Sequence, residues 1–376
     1  MIYLDNAATT KPSDEFLDAY NWASKNQYYN ASATYNMGIK SKSLISDVKK
    51  AICKMINAPY SDNIIFTGSA TEANNLAVQG AYKSNWKKAF ISSGEHPSVY
   101  NLKQWLESKG VVVITIPLLS NGQIDYEFLD KNLDENVNFI STMIVNNETG
   151  AINNIKALYD LKNRKCPNAL LHCDGVQAFG KINIKQPYFD MFTLSTHKIG
   201  GSKGLGALYV KNIKLLKPIL FGGGQEFGIR SGTENVASIY AFGELIKRID
   251  IEEEYKKITI LKQTLIKQLK DNHTDFICNS DDDCSPYIVS LTFPKVNGET
   301  LARMLEEHGV IVSTGSACSS KKRGNRVLSS MGINDKNVVS SIRVSFFHYN
   351  SLEEVIEASN IISNTYENLK QRMGIV

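Results

Sequence analysis

The amino-acid sequence predicts an α/β protein: a large domain with a mostly parallel seven-stranded sheet between helices, plus a smaller α+β domain. Three observations carry this expectation. The chain has 376 residues, too many for one simple core and enough for a large domain and a smaller one. Its strand-like runs are mostly apolar throughout, which suits strands buried on both faces of a parallel sheet. Helical stretches separate these runs in a βαβ rhythm, and the rhythm changes after about residue 250.

Taken in order, the strand candidates are residues 64–67, 89–92, 111–116, 139–145, 170–173, 191–195 and 205–210. Helical segments such as 72–82 and 98–108 lie between them. Residues 255–269 form a long amphipathic pattern, with Ile258, Leu261, Leu265 and Leu269 on one stripe, and are expected to link the two domains. IVSLTFP, GVIVST and SSIRVSFF then follow as strand-like runs. The last helix is expected to start at Ser351, with Glu354 completing a capping box. The expected division is 15–255 for the large domain, with 1–14 and 256–376 forming the small one. No internal repeat or low-complexity tract interrupts this plan.

Composition excludes several functions. Hydrophobic residues make up 43% and charged residues 21%, the balance of an ordinary globule. The net charge is +4 and no basic stripe alternates with aromatics, so no nucleic-acid partner is expected. No apolar run approaches the roughly 20 residues that span a bilayer. The start, MIYLDNAATT, lacks a basic region followed by an apolar stretch, so the chain is expected in the cytosol, away from membranes. The six cysteines, Cys53, Cys166, Cys173, Cys278, Cys284 and Cys318, make no CxxC and no zinc-like spacing. They are expected to be reduced, with the pair in CNSDDDC as loop thiols.

In open α/β sheets, ligands bind beyond the carboxyl ends of the strands. Polar residues gather there in this sequence. GSATEANN follows the first strand and opens a helix whose free N–H groups suit a phosphate. GEHPS brings His96, NNETG brings Asn146 and Asn147, DGVQ brings Asp174 and Gln177, and STHK brings His197 and Lys198. Each alone has an ordinary role as a cap, turn or solvated residue. Together at one sheet edge they match what pyridoxal phosphate requires. A lysine condenses with its aldehyde, a carboxylate pairs with its ring nitrogen, and a histidine stacks on the ring. A covalent bond to the cofactor also explains an ammonium-bearing side chain at the mouth of a buried strand.

At this point the residues resemble a family. YLDNAATT, FTGSATEANNLA, EHPSV, VNNETG, HCDGVQ, STHKIGGSKGLGALYV, GGGQEFGIRSGTENV, STGSACSS and SIRVSF together resemble the cysteine desulfurases of the NifS/IscS type. These are fold-type I pyridoxal-phosphate enzymes of the class-V aminotransferase superfamily. The resemblance implies that Lys198 carries the cofactor, Asp174 pairs with the pyridine nitrogen and Gln177 reaches the ring hydroxyl. It implies that His96 stacks on the ring and moves protons. Ala70, Thr71, Ser195 and His197 bind the phosphate, and Thr233 reaches the phosphate of the neighbouring subunit in a homodimer. Asn147 and Arg343 hold the substrate carboxylate. Cys318 takes the sulfur of L-cysteine as a persulfide and leaves L-alanine. The implied acceptor is an iron–sulfur scaffold protein, with tRNA thiolation or another sulfur pathway open. No resident metal is implied; a transient iron–sulfur cluster would contact Cys318.

Two of these residues read differently on local grounds. Cys318 lies among small polar residues with Lys321, Lys322 and Arg323 close behind, which suits either an exposed reactive thiol or a spare loop thiol. Arg343 sits in an alternating strand, whose local pattern predicts a half-exposed face and a solvated arginine. The chain also departs from the family at Thr196, at Gly200-Gly201-Ser202 and at Cys173 and Gly175, changes expected to loosen the cofactor pocket. The end at Val376, soon after the last helix, is shorter than in relatives that dock a scaffold. The same scaffold also resembles aminotransferases and selenocysteine lyases. A degenerate, non-enzymatic homologue is disfavoured by intact Lys198, Asp174, His96 and Cys318.

Overall fold

A computed structural model describes residues 1–59, 63–315 and 325–374. The strands are β1 (Ile2–Tyr3), β2 (Asn63–Thr67), β3 (Lys88–Ser92), β4 (Val112–Ile116), β5 (Val137–Met143), β6 (Leu170–Asp174), β7 (Met191–Ser195), β8 (Gly206–Val210), β9 (Ile277–Cys278), β10 (Ile288–Thr292), β11 (Val310–Ile311) and β12 (Ser341–Ser345). Seven of them form one sheet in the order β2-β8-β7-β6-β5-β3-β4. Only β8 runs against its neighbours in this sheet. Because β2 is antiparallel to β8, it runs with the rest and also ends at the ligand edge.

The apolar runs divide by their two-residue period between two cores. Ile64, Phe66, Phe192 and Leu194 face one core, shared with helices Asp14–Asn26, Asn36–Met55, Ile155–Lys165 and Val236–Ile246. Ile65, Ala89, Ile91 and Met191 face the other, under Ala70–Asn75 and Leu102–Ser108. Covering both faces is what a largely parallel sheet demands.

A third core gathers Ile2, Leu4 and Ala7 with the chain beyond residue 250. Ile258, Leu261, Leu265 and Leu269 of helix Ile251–Asp271 are all buried in it, as the stripe predicts. β12, β10 and β9 form its antiparallel sheet. Helix Leu352–Arg372 covers it and starts at Ser351 with the expected capping box to Glu354.

Two helices differ from expectation. The segment read as 72–82 starts at Ala70, because Ser69 caps it by accepting from the Glu72 N–H at 3.2 Å. It then widens into a π-helical turn at Leu76–Gly80, where the Lys217 N–H bonds to the Gly80 carbonyl. The segment read as 98–108 is two pieces, Pro97–Tyr100 and Leu102–Ser108, the first capped by His96 with Pro97 in the first turn. Of the pair in CNSDDDC, Cys278 ends β9 instead of lying in a loop, and Cys284 is buried.

Candidate active site

A cavity of about 360 Å³ opens at the carboxyl edge of the large sheet. Its lining brings together Ala70, Thr71, His96, Asn147, Asp174, Gln177, His197, Lys198 and Arg343. Eight of these share the chamber because parallel strands deliver their ends to the same edge, and Arg343 reaches it from β12 of the smaller sheet.

Asp174 is the last residue of β6 and is 1% exposed. Its Oδ1 accepts from the Val176 N–H at 3.0 Å and its Oδ2 from Asn74 Nδ2 at 2.9 Å, so the carboxylate has a fixed plane. Beneath it lies a buried layer. His172 touches Ser141 Oγ at 2.9 Å and Thr193 Oγ1 at 3.0 Å, and Ser141 donates to Glu95 Oε1 at 3.1 Å. Both ring nitrogens of His172 thus meet a hydroxyl, one at Ser141 and one at Thr193, which suits a neutral imidazole. Burial pushes His172 down to about 4. Burial, with the charge of Asp174 adding to it, holds Glu95 well above the usual carboxylate range. Burial likewise raises Cys173.

Lys198 closes a short 3-10 turn, Thr196–Lys198, after β7. Its Nζ donates to the carbonyls of Ala7 at 2.7 Å and Ala8 at 2.6 Å. Burial, then Arg343, push its pKa down to about 8, against the pull of Asp5, Asp174 and Glu148. At neutral pH roughly a tenth of such amines are unprotonated, against fewer than about one in a thousand for an ordinary lysine. A free amine is what condensation with an aldehyde needs. His96 Nδ1 accepts from the Ser98 N–H at 3.1 Å, so its neutral ring carries the proton on Nε2. Burial lowers its pKa. His197 is pushed down to about 4, chiefly by burial and then by Lys198, and meets Thr9 Oγ1 at 3.2 Å.

The donor set fits pyridoxal phosphate. Ser195, 1% exposed at the end of β7, keeps its Oγ without a partner among the described residues, beside the opening turn Ser69–Ala70. Gly206 lies between Thr67 and Ser195 at this edge. A Cβ there would stand 2.5 Å from the Ser69 carbonyl carbon and 2.7 Å from the Ala70 nitrogen, so only glycine lets β8 approach that turn. Glu72 pins the turn by accepting from the Gly68 N–H at 2.7 Å and pairing with Arg230 Nε at 2.7 Å.

The opposite wall corrects one expectation. Arg343 is not solvated: it is 5% exposed, and every residue of β12 is buried. β10 and the bridges to Asp5 and Ser313 pair both edges of β12, and Asp5, Asn147 and Glu148 stand against the Arg343 side chain, so the alternate face meets protein instead of water. Arg343 Nη2 donates to Asp5 Oδ1 at 2.8 Å and Nη1 to the Asn147 carbonyl at 2.9 Å. Glu148 Oε1 stands 3.5 Å from Nη1 and accepts from Asn147 Nδ2 at 2.8 Å. Nε has no partner among the described residues.

At Gly175, Gly201 and Thr196, three of the departures, neighbouring groups fill the space. A Cβ on Gly175 would sit 2.0 Å from ring atoms of Phe192, which fills that space. A Cβ on Gly201 would sit 2.8 Å from the Cβ of Thr196, whose hydroxyl bonds to the Ser202 and Leu205 carbonyls.

Of the expected site residues that the structure describes, Ser195 and Thr233 do not line this cavity. Thr233 is exposed in a separate depression with Gly68, Arg230 and Gly232. Cys318 lies outside the described residues; Ser313 and Gly315 before it line the cavity. Sequence reasoning also missed Asp5, Asn74 and Glu148. Asn74 lies four residues after Ala70, on the same helix face, which was the available signal.

Known proteins match along the whole chain. The model of the aminotransferase class-V family matches residues 2–357. A NifS/IcsS protein homolog of Lactobacillus delbrueckii subsp. bulgaricus is 34% identical over 381 residues, covering 99% of this chain and 98% of its own. Cysteine desulfurase IscS 1 of Archaeoglobus fulgidus is 32% identical over 378 residues, covering 98% of each. A solved structure of a NifS-like protein superposes with a TM-score of 0.90 at 28% identity, covering 98% of this chain and 99% of that one.

Proposed function

The chain belongs to the class-V aminotransferase family, as a pyridoxal-phosphate-dependent cysteine desulfurase, and from that premise we propose how its own residues divide the work. One observation carries the reading: a single cavity joins Lys198, Asp174, Gln177 and His96 on one wall to Asn147 and Arg343 on the other.

When bound, pyridoxal phosphate supplies an aldehyde for amines and a protonated ring that draws electron density from the substrate α-carbon. Asp174 faces the ring nitrogen, Gln177 the ring hydroxyl and His96 the ring face. Ser195, His197 and the turn at Ala70 and Thr71 take the phosphate. Arg343 and Asn147 orient the carboxylate of L-cysteine, a charge-assisted contact that selects amino acids over amines. Lys198 Nζ would hold and move the proton of the substrate α-carbon. The Cys318 thiolate attacks the substrate sulfur: one C–S bond breaks, one S–S bond forms, and the β-carbon gains a proton to leave L-alanine. The persulfide on Cys318 then goes to an acceptor, by default an iron–sulfur scaffold protein.

A homodimer is proposed on two supports. Thr233 is exposed beside Gly68, near the phosphate turn, where it can serve a neighbouring subunit. Tyr28, Tyr35, Ile39, Phe221 and Phe227 are large apolar side chains left exposed, surface that a second subunit would cover. Light scattering tests it; a stable, active monomer would contradict the role of Thr233. The separate third core supports the division into 15–255 and the remainder. No helix among the described residues is long and apolar enough to cross a membrane; a cytoplasmic location is proposed with it.

The test of the reaction is to measure alanine and sulfide from the purified protein with L-cysteine and a thiol reductant, beside Cys318→Ala. Equal amounts of both products, lost in the variant, are expected. Normal turnover in Cys318→Ala would mean that another group accepts the sulfur.

A further inference from the structure

We infer that Lys181, a buried lysine four residues after Gln177, fixes the polarity of the Gln177 amide, so that Gln177 meets the cofactor's ring hydroxyl only as a donor. The inference rests on the reading of Gln177 given above.

Lys181 is 1% exposed, among the largest fully buried side chains of the protein. Burying an ammonium is costly, and a methionine would fill the same space without that cost. Its Nζ has one hydrogen bond among the described residues, to Gln177 Oε1 at 2.8 Å. The face of the Tyr287 ring lies 5.4 Å away. Gln177 Nε2 in turn donates to the Ala7 carbonyl at 2.9 Å, the same oxygen that accepts from Lys198.

The Ala7 carbonyl can only accept, and Lys181 when protonated can only donate. With Lys181 on one end and Ala7 on the other, the Gln177 amide has one allowed orientation: oxygen toward Lys181, nitrogen toward the cavity. Successive turns after β6 create the geometry. The Phe179 N–H bonds to the Gly175 carbonyl and the Lys181 N–H to that of Ala178, which sets residues 177 and 181 on one side.

The charged groups around Lys181 agree. Burial first, then Lys198 and Arg343, push it down to about 7, while Glu254 opposes them. Each of these cations makes the next one harder to hold, so an anion placed in this corner would be favoured and would keep Lys181 protonated. An oxyanion on the cofactor ring, met by the Gln177 N–H, is such a charge. Lys181 is thus a positioning residue: it touches neither substrate nor cofactor and acts through Gln177.

The experiment is a spectral pH titration of the holoenzyme, reading the absorbance of the bound cofactor without substrate. Lys181→Met is expected to keep the cofactor and move the titration midpoint upward by roughly one pH unit, the scale of one lost hydrogen bond to a charged group. Gln177→Leu should shift in the same direction, and the double variant should match Gln177→Leu alone. An unshifted Lys181→Met beside a shifted Gln177→Leu overturns the role of Lys181 and leaves the Gln177 contact standing. No shift in either overturns the Gln177 reading, and this inference with it. Shifts that add in the double variant would show Lys181 acting as a bare charge, which also overturns it. Should Lys181→Met not fold, Lys181→Gln serves: its amide can donate or accept, so polarity is released and a smaller upward shift is expected. An unshifted midpoint there overturns the inference.

Discussion

The two walls of the cavity are built on opposite electrical plans. Behind Asp174 the layer is buried, with His172, Cys173 and Glu95 all shifted toward their uncharged forms by burial. Across the cavity, Arg343 sits among Asp5, Glu148 and the Asn147 carbonyl. The first wall isolates one carboxylate so that its charge is felt by a ring nitrogen. The second surrounds one guanidinium with anions, so that an exchangeable carboxylate meets it already ordered. Low dielectric strengthens the first contact, whereas mutual pairing prevents the second charge from being stranded.

Lys198 stands between the walls, and its removal should break both. Lys198→Ala is expected to abolish the near-visible band of the bound cofactor and to lower turnover by at least about a thousandfold. Retention of the band would sink the cofactor assignment. Arg343→Leu should break only the ionic wall. We expect KM for L-cysteine to rise about tenfold to a hundredfold, the cost of one charge-assisted contact, with the cofactor band intact. Loss of the band in that variant would show that the walls are not separable.

Acid should break the neutral wall. His172 has an ordinary pKa near 6.5 unfolded and about 4 folded. The unfolded chain therefore binds the proton first, so this stability is present above about pH 6.5 and is lost as pH falls toward about 4. The loss is on the order of 3 kcal/mol. Denaturation midpoints across this window should slope downward with acid, and His172→Asn should flatten that slope. An unchanged slope would place the acid sensitivity elsewhere. The smallest expected effect is on packing within the neutral wall. Gly175→Ala drives a methyl into the Phe192 ring and should cost about 1–3 kcal/mol, relieved in part by Phe192→Leu. A neutral outcome in denaturant titrations would mean that the ring moves aside freely.

The same contrast explains what the sequence made legible. The neutral wall is written locally: each strand is an apolar run and its site residue follows within a few positions, so Asp174, Lys198 and His96 could be placed from the chain alone. The ionic wall is written at long range. Arg343 meets Asp5 across 338 positions, and its strand alternates as an exposed strand would. Contacts with Asp5, Asn147 and Glu148, all distant in sequence, bury the polar face, and no local pattern encodes them. Asn74 and Glu148 escaped for a similar reason. Each lies inside a motif that was noticed, but its partner, Asp174 or Arg343, sits on another element.

The pairing of β1 with β11 sets an order of construction. Ile2 and Tyr3 find their partners at Val310 and Ile311, and Asp5 its bridge at Ser345. A ribosome making this chain releases those first residues long before their partners exist. All strands of the neutral wall, by contrast, lie between residues 63 and 210. A half-synthesised chain can therefore shape the cofactor's bed while Ala7, Ala8 and Arg343 are still unassembled. The means to seat an amino acid arrive only once Arg343 has been made, so a nascent chain that captures cofactor early has no finished seat for cysteine.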